Sequence, residues 1–264
     1  MLVAEVVTVT GEHERTHDSG THGSGAAHGG GAAHRGGAAH DAAVELFTPE
    51  FWDERYRSAD ALWSGNANPQ LVAEASDLAP GRALDLGCGE GADAIWLATR
   101  GWHVTALDVS RVALERAATR AQLAGADVAR RIDWRYADLV GAGSDDALAS
   151  GPGDGFPDGS EFDLVSAQFI HLPATARDRL LRRAGALIAP GGTLLVVGHH
   201  PQDLDPTGLR AHMADLMYTP GEIAALLDPA QWTVVVAQAR ERDVVVDGET
   251  VIMHDAVMRA QRLA

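Results

Sequence analysis

From residue 82 to residue 199, short apolar runs alternate with longer segments whose apolar residues recur every three or four positions. The first pattern predicts buried strands and the second predicts helices packed by one face. Residues 82–86 (RALDL) predict a strand, 91–100 a helix ended by Gly101, and 103–107 a second strand. Ser110 is placed to cap a helix running to Leu123, with Gly125 just past it. Residues 132–136 and 162–167 predict the third and fourth strands. Residues 175–188 predict an amphipathic helix with Leu180, Leu181, Ala184, Leu187 and Ile188 on one side. Pro190, Gly191 and Gly192 then turn the chain into a fifth strand at 193–197. Upstream, Thr48 and Pro49 read as the N-cap and first position of a helix carrying Phe51, Trp52 and Tyr56. Downstream, Thr219, Pro220, Gly221 and Glu222 form a capping box that opens a helix through Leu227. Two last strands, near 232–237 and 251–257, flank a turn signal at Asp247-Gly248.

Alternating strands and helices predict an α/β fold, a doubly wound, Rossmann-like parallel sheet with helices on both faces. The closing pair of strands adds an antiparallel hairpin at one edge. Residues 141–160, made largely of Gly, Ser, Asp and Pro, predict a surface insertion before the fourth strand.

Residues 11–43 lack this patterning. His22, His28 and His34 each begin a six-residue unit of Gly, Ala and little else, and His40 follows. Such a stretch has much backbone entropy to lose and almost nothing large to bury, which predicts disorder. Two readings of it stand: a loose metal-scavenging tail, since imidazoles bind transition metals, or repeat expansion in a tolerant terminus. The expected organisation is a tail over 1–45 and a folded domain over 46–264.

Charge narrows the partners. The formal net charge is -16. A surface of that sign repels phosphate backbones and disfavours nucleic acid. Arg130, Arg131 and Arg135 form one basic cluster, which reads as a solvated helix end leading into a strand. The single cysteine, Cys88, excludes an internal disulfide framework. No apolar run reaches the roughly 18 residues needed to span a bilayer, and the first ten residues lack a basic leader. The expectation is a cytoplasmic protein with no membrane partner.

The chemistry gathers after the first strand, in Gly87, Cys88, Gly89, Glu90 and Gly91. In a doubly wound sheet, ligands bind at the carboxyl ends of the strands, and glycines let a ligand approach the main chain. Gly87, Gly89 and Ala92 also fit a loose dinucleotide fingerprint. Asp85, inside the strand two residues before Gly87, favours a different ligand. A carboxylate there repels a pyrophosphate and attracts the ammonium of a methionine moiety. S-adenosylmethionine (SAM) has no phosphate and carries two positive charges. Asp108 ends the second strand, where a carboxylate accepts hydrogen bonds from ribose hydroxyls. Asp138 follows the third strand and is placed to receive an adenine amino group. Cofactor-site candidates are therefore Asp85, Gly87, Cys88, Gly89, Gly91, Asp108, Val109, Asp138, Leu139 and, past the fourth strand, Gln168.

These residues resemble the class I SAM-dependent methyltransferases. Asp85, Gly87, Gly89 and Gly91 match that family's first motif, Asp108 its second, and Asp138-Leu139 its third. The resemblance covers about residues 46–260 and implies a seven-stranded sheet. A narrower likeness lies in Phe51, Trp52, Tyr56, Leu62, Trp63 and Asn68, which resemble the lead-in of small-molecule methyltransferases of the tellurite-resistance and thiopurine type. There, aromatic residues fold over the cofactor, which implies a lid at Trp52, Tyr56 and Trp63. Trp52 reads equally well as an anchor packing its helix on the sheet.

The expected reaction is transfer of a methyl group to a small-molecule acceptor by in-line displacement, with sulfur, nitrogen, oxygen and metalloid acceptors all open. A general base is needed only where the acceptor arrives protonated. His171 is the first candidate, with His199 and His200 behind it, because all three follow strand ends. Cys88 reads as a packing residue of the loop. The competing expectations are a nicotinamide-dependent oxidoreductase and a non-catalytic SAM- or metal-binding protein. No metal site is predicted in the folded part.

Overall fold

The computed structural model describes residues 48–139, 155–157, 159, 161–170, 172–204, 215–246 and 249–264. Among them, helix α1 (Pro49–Arg57) begins as its sequence predicts: Thr48 Oγ1 accepts the Phe51 N–H at 3.2 Å, and Pro49 fills the first turn. A second helix, α2 (Pro69–Ala75), was not anticipated; Asn68 caps it by accepting the Gln70 N–H. The alternating core follows as β1 (Arg82–Leu86), α3 (Ala92–Thr99), β2 (His103–Asp108), α4 (Arg111–Ala124), the short α5 (Ala126–Ala129) and β3 (Ile132–Tyr136). Then come β4 (Phe162–Gln168), α6 (Ala174–Ala186), β5 (Ile188–His199), α7 (Pro220–Ala224), β6 (Trp232–Val246) and β7 (Glu249–Arg262).

The strands form one seven-stranded sheet in the order β3-β2-β1-β4-β5-β7-β6. β1 to β5 pair in parallel, and β7 is antiparallel to both β5 and β6. Order reverses between β1 and β4, so the crevice beyond their carboxyl ends is the place for a ligand. Each face of the sheet carries its own core. Leu84, Leu86, Val165, Leu194 and Val196 pack with Leu180, Leu181 and Trp232 on one side. Ala83, Leu164, Leu195 and Val197 pack with Leu97, Trp102 and Ala121 on the other. Alternation along each strand thus delivers both layers.

Several predicted boundaries shift, and the capping-box helix expected through Leu227 ends at Ala224. The helix expected to reach 188 ends at Ala186, and Ile188 begins β5 instead, paired with Phe162. The ladder then slips between Phe162 and Leu164, whose partners are Ile188 and Thr193, so the Pro-Gly-Gly turn becomes an irregularity inside one long strand. The terminal strands also run longer than predicted. β7 pairs with β5 from Gln261 to Asp255, but with β6 all the way to Glu249. Residues 241–246 and 249–254 therefore pair only with each other in the ladder, overhanging the sheet on the side where β5 ends. Met253, packed with Leu216 and Val244, gives this overhang a small core of its own. His254 anchors its base: Asp203 accepts both the His254 N–H at 2.6 Å and a contact from Nδ1 at 2.7 Å. The tail, most of the 141–160 insertion and His171 lie outside the described residues. No described helix is long and apolar enough to cross a membrane.

Candidate functional site

A cavity of about 660 Å³ opens at the carboxyl ends of β1, β2 and β4. Its floor is the glycine loop. Gly87, Gly89 and Gly91 all hold positive φ, at 68°, 51° and 81°. Two of them also have no room for a side chain. A Cβ on Gly89 would lie 2.9 Å from Tyr56 Oη, and one on Gly91 would lie 2.5 Å from the Trp134 ring. The sequence therefore needs glycine here for conformation and for close approach.

Of the predicted cofactor residues, Gly87, Cys88, Gly89, Asp108, Val109, Asp138, Leu139, Gln168 and Trp63 line the cavity. Asp85 and Gly91 do not; they lie beneath it. Asp85 is fully buried in β1, and its Oδ2 has no hydrogen-bond partner. Gly91 packs under the loop against Ala117 and Trp134. Asp108 is more structural than its strand-end position suggests. Oδ2 accepts the Gly89 N–H at 2.8 Å and Oδ1 accepts the Ser110 N–H at 2.8 Å, so one carboxylate ties the loop to the start of α4.

The aromatic residues expected to form a lid, Trp52, Tyr56 and Trp63, all line the cavity. Trp63 Nε1 donates to Tyr56 Oη at 3.0 Å, and the rings of Trp52, Tyr56 and Trp63 follow one another at 6.1 and 6.4 Å. Trp52 lines the cavity, and its helix packs on helix α4. Three acids that sequence reasoning passed over fasten this segment. Glu90 Oε2 accepts the Trp63 N–H at 3.4 Å, Asp93 Oδ1 accepts the Asn68 N–H at 2.6 Å, and Asp53 Oδ1 accepts from Ser110 Oγ at 2.6 Å. Glu90 is balanced by Arg116 at 3.1 Å and Arg120 at 3.5 Å. A signal existed for Asp93: an acid in the first turn of the helix after a glycine loop. Nothing in the pattern marked Asn68 as its partner.

The electrostatics single out three carboxylates, Asp93 again with Asp85 and Asp108. Burial first, and then Asp93 and Asp108, push Asp85 well above the usual carboxylate range. Burial raises Asp93 to about 6 despite the Asn68 N–H, and raises Asp108 to about 6 despite the N–H groups of Ser110, Gly89 and Val109. None of the three has an arginine partner among the described residues. Burial, then Asp108 and Asp85, also push the Cys88 thiol up, which keeps it neutral and unsuited to nucleophilic attack. Tyr56 is raised as well, by burial first.

Beyond β4 the wall changes. Phe169 alone among the described non-glycine residues holds positive φ, at 53°. Its ring lies 4.8 Å from the ring of buried His199 and 5.6 Å from the Arg242 guanidinium. His199 therefore sits behind Phe169, and neither it nor His200 lines the cavity. His200 instead caps a short turn, its Nδ1 accepting the Gln202 N–H. Arg242 and Val244, from the overhanging part of β6, complete this wall.

Residues 83–192 match the family described as a methyltransferase domain. They form a class I SAM-dependent methyltransferase domain. An uncharacterized methyltransferase of Mycobacterium tuberculosis is 35% identical over 139 residues, which is 52% of this chain and 61% of that protein. The chain thus spans less than two thirds of the curated relative it matches. A protein named ribosomal RNA small subunit methyltransferase C, of Chromohalobacter salexigens, is 36% identical over 131 residues, 49% of this chain and 34% of the relative. Among solved structures, the N-methyltransferase NodS of Bradyrhizobium japonicum, in complex with S-adenosylhomocysteine (SAH), shares the fold. Its TM-score is 0.58 at 19% identity, covering 82% of this chain and 98% of that one.

The methyltransferase family uses SAM as methyl donor, and the donor set suits that cofactor. Three carboxylates without cationic partners among the described residues, one of them with an orphaned oxygen, lie beside and beneath a glycine floor open to close approach. These carboxyl groups suit a ligand that brings an ammonium and a sulfonium, which favour their ionised form, and would repel a pyrophosphate.

Proposed function

We propose that the protein transfers a methyl group from SAM to a small-molecule acceptor. The observation that carries this reading is the trio of carboxylates, buried Asp85 and Asp108 with half-buried Asp93, around a glycine loop that floors a lidded cavity. In this reading Asp85 and Asp93 attract the methionine ammonium through the field they set up, Asp108 takes the ribose, and Asp138 with Leu139 receives the adenine. Gln168 contacts the cofactor from the end of β4. The cofactor supplies an activated methyl on a sulfonium. The chain's own work is to orient and to exclude water, and alignment alone is worth roughly 7–11 kcal/mol in well-oriented systems. Trp52, Tyr56 and Trp63 perform the exclusion.

A small acceptor is favoured by size and by charge. Pockets of roughly 300–1,000 Å³ bury most of one drug-sized ligand, so about 660 Å³ leaves room for a modest acceptor beside the cofactor. A net charge of -16 opposes an RNA or DNA acceptor despite the name of one relative. For acceptors that arrive protonated we assign the base to His171, two residues beyond Phe169. We place the protein in the cytoplasm, where its one cysteine stays reduced.

The test is SAM consumption against thiols, amines, phenols, carboxylates, tellurite and selenite, with SAM affinity read separately by calorimetry. Turnover with a small acceptor is expected. Binding of NADH without binding of SAM would replace this reading with an oxidoreductase. SAM binding without turnover on any acceptor, together with function that depends on residues 1–45, would replace it with a sensor.

A further inference from the structure

The wall of the cavity beyond β4 has a chemistry unlike that of the glycine loop beside it. It is built from Phe169, Ile170, Leu172 and Val244, which are apolar, and from Arg242, which is cationic. Arg242 reaches this wall only because β6 and β7 overrun β5. It pairs with Met253, two residues past the last β5–β7 pair at Asp255. A hairpin ending with the sheet would leave the wall uncharged.

Arg242 is held rigidly and used sparingly. Its Nε donates to Asp255 Oδ1 at 2.7 Å. Asp255 is buried at 1% exposure, and its other oxygen accepts from Gln70 Nε2 at 3.3 Å. The guanidinium also stacks toward the Phe169 ring at 5.6 Å. A guanidinium has five N–H donors in a fixed fork. Asp255 takes the one on Nε, and the four on the terminal nitrogens meet no acceptor among the described residues. The Arg242 side chain is 31% exposed and lines the cavity, so those donors are reachable by a ligand. An arginine oriented through Nε, with its fork free, is the arrangement that reads a carboxylate.

Phe169 supports the same assignment. A bulky residue at positive φ costs free energy and persists only where its surroundings hold it. Here the His199 ring at 4.8 Å and the Arg242 guanidinium at 5.6 Å brace it, so the strained turn keeps a ring beside the free fork. With a sulfonium cofactor in place, charge would alternate across the cavity: loop carboxylates, cationic cofactor, anionic acceptor, Arg242.

We infer that the methyl acceptor is a small planar or aromatic molecule bearing a carboxylate, which Arg242 binds while Phe169 stacks against its body. Arg242 and Phe169 are then specificity-determining residues. This rests on the SAM reading above, and the experiment keeps the two apart. Full-length protein is titrated first with SAH, and then, saturated with SAH, with thiosalicylate, anthranilate and 4-hydroxybenzoate and with the methyl ester of each. These pairs place sulfur, nitrogen and oxygen beside one anionic or one neutral group, and the SAH complex permits binding without turnover. At least one free acid is expected to bind ten or more times as tightly as its ester. Arg242→Met should reduce that preference to less than twofold, and Arg242→Lys should keep part of it. Because Arg242→Met strands the buried Asp255 charge, the double variant Arg242→Met/Asp255→Asn is measured beside it with a melting curve; it should also lack the preference while folded and bound to SAH. Equal binding of every acid and its ester by the wild type overturns the inference, and so does a preference that survives in the folded double variant. Failure of the wild type to bind SAH overturns the SAM reading and this inference together.

Discussion

Asp108 answers to two partners at once. Its oxygens already hold the Gly89 and Ser110 N–H groups, and it still lines the cavity where a ribose would arrive. Asp108→Ala should therefore weaken SAM binding more than tenfold by calorimetry, through lost ligand bonds and a loosened loop together. An unchanged affinity would remove Asp108 from the site. Acidity gives a second check. In the cofactor-free protein Asp93 and Asp108 titrate at about 6, above the unfolded value. A carboxyl raised on folding stabilises the fold fully below the unfolded value of about 4, and that contribution is lost as pH rises through about 6. A cationic ligand prefers the same groups ionised. SAM affinity should thus rise from about pH 5 to about pH 7 and level off above, and the thermal shift SAM produces should grow over the same window. A flat profile would show that neither carboxylate faces the cation.

Single elements carry the geometry that these residues exploit. The turn from β1 into α3 depends on Gly91, where φ is 81° and a Cβ would strike Trp134. Gly91→Ala should cost at least about 2 kcal/mol in urea unfolding, since a left-handed L-residue costs roughly 1–2 kcal/mol and overpacking roughly 1–3 more. This loop was legible in the sequence because its signals are local: an apolar strand, an acid, and glycines at fixed offsets. The caps at Thr48, Ser110 and Thr219 were legible for the same reason. What escaped notice was set by tertiary partners. Ile188 joins a strand because Phe162 offers it a ladder position, although its spacing continues the helical stripe of Leu180, Leu181 and Ala184. The overhang of β6 and β7 rests on Leu216 and Asp203, distant in sequence, so the sequence pattern marked strands only at 232–237 and 251–257 and missed the β6 arm at 241–246. Arg242 and the lid clasp at Asn68 and Asp93 went unseen with it, since each acts only through a residue from another element.

At the scale of the whole molecule, the folded region and the tail separate by composition, and charge acts over both. Deleting residues 1–45 should leave the melting temperature and SAM affinity unchanged, because the site residues all lie beyond that segment; a fall in either would place the tail within the fold. The net charge of -16 makes a further, long-range prediction. A molecule of this sign draws a net cation such as SAM toward it and repels a polyanion, and both effects are screened once the Debye length falls to about 10 Å near 0.1 M salt. The SAM association rate, followed by stopped-flow fluorescence of the lid tryptophans Trp52 and Trp63, should therefore fall severalfold between low salt and physiological salt. Dissociation, which in the proposed site breaks short contacts to Asp93 and Asp108 in the cavity wall, should change little. A ribosomal RNA fragment should fail to bind at either salt concentration. Association that ignores salt would confine the electrostatics to the three site carboxylates, and RNA retention that weakens steeply with salt would reveal a basic groove and reopen the choice of acceptor.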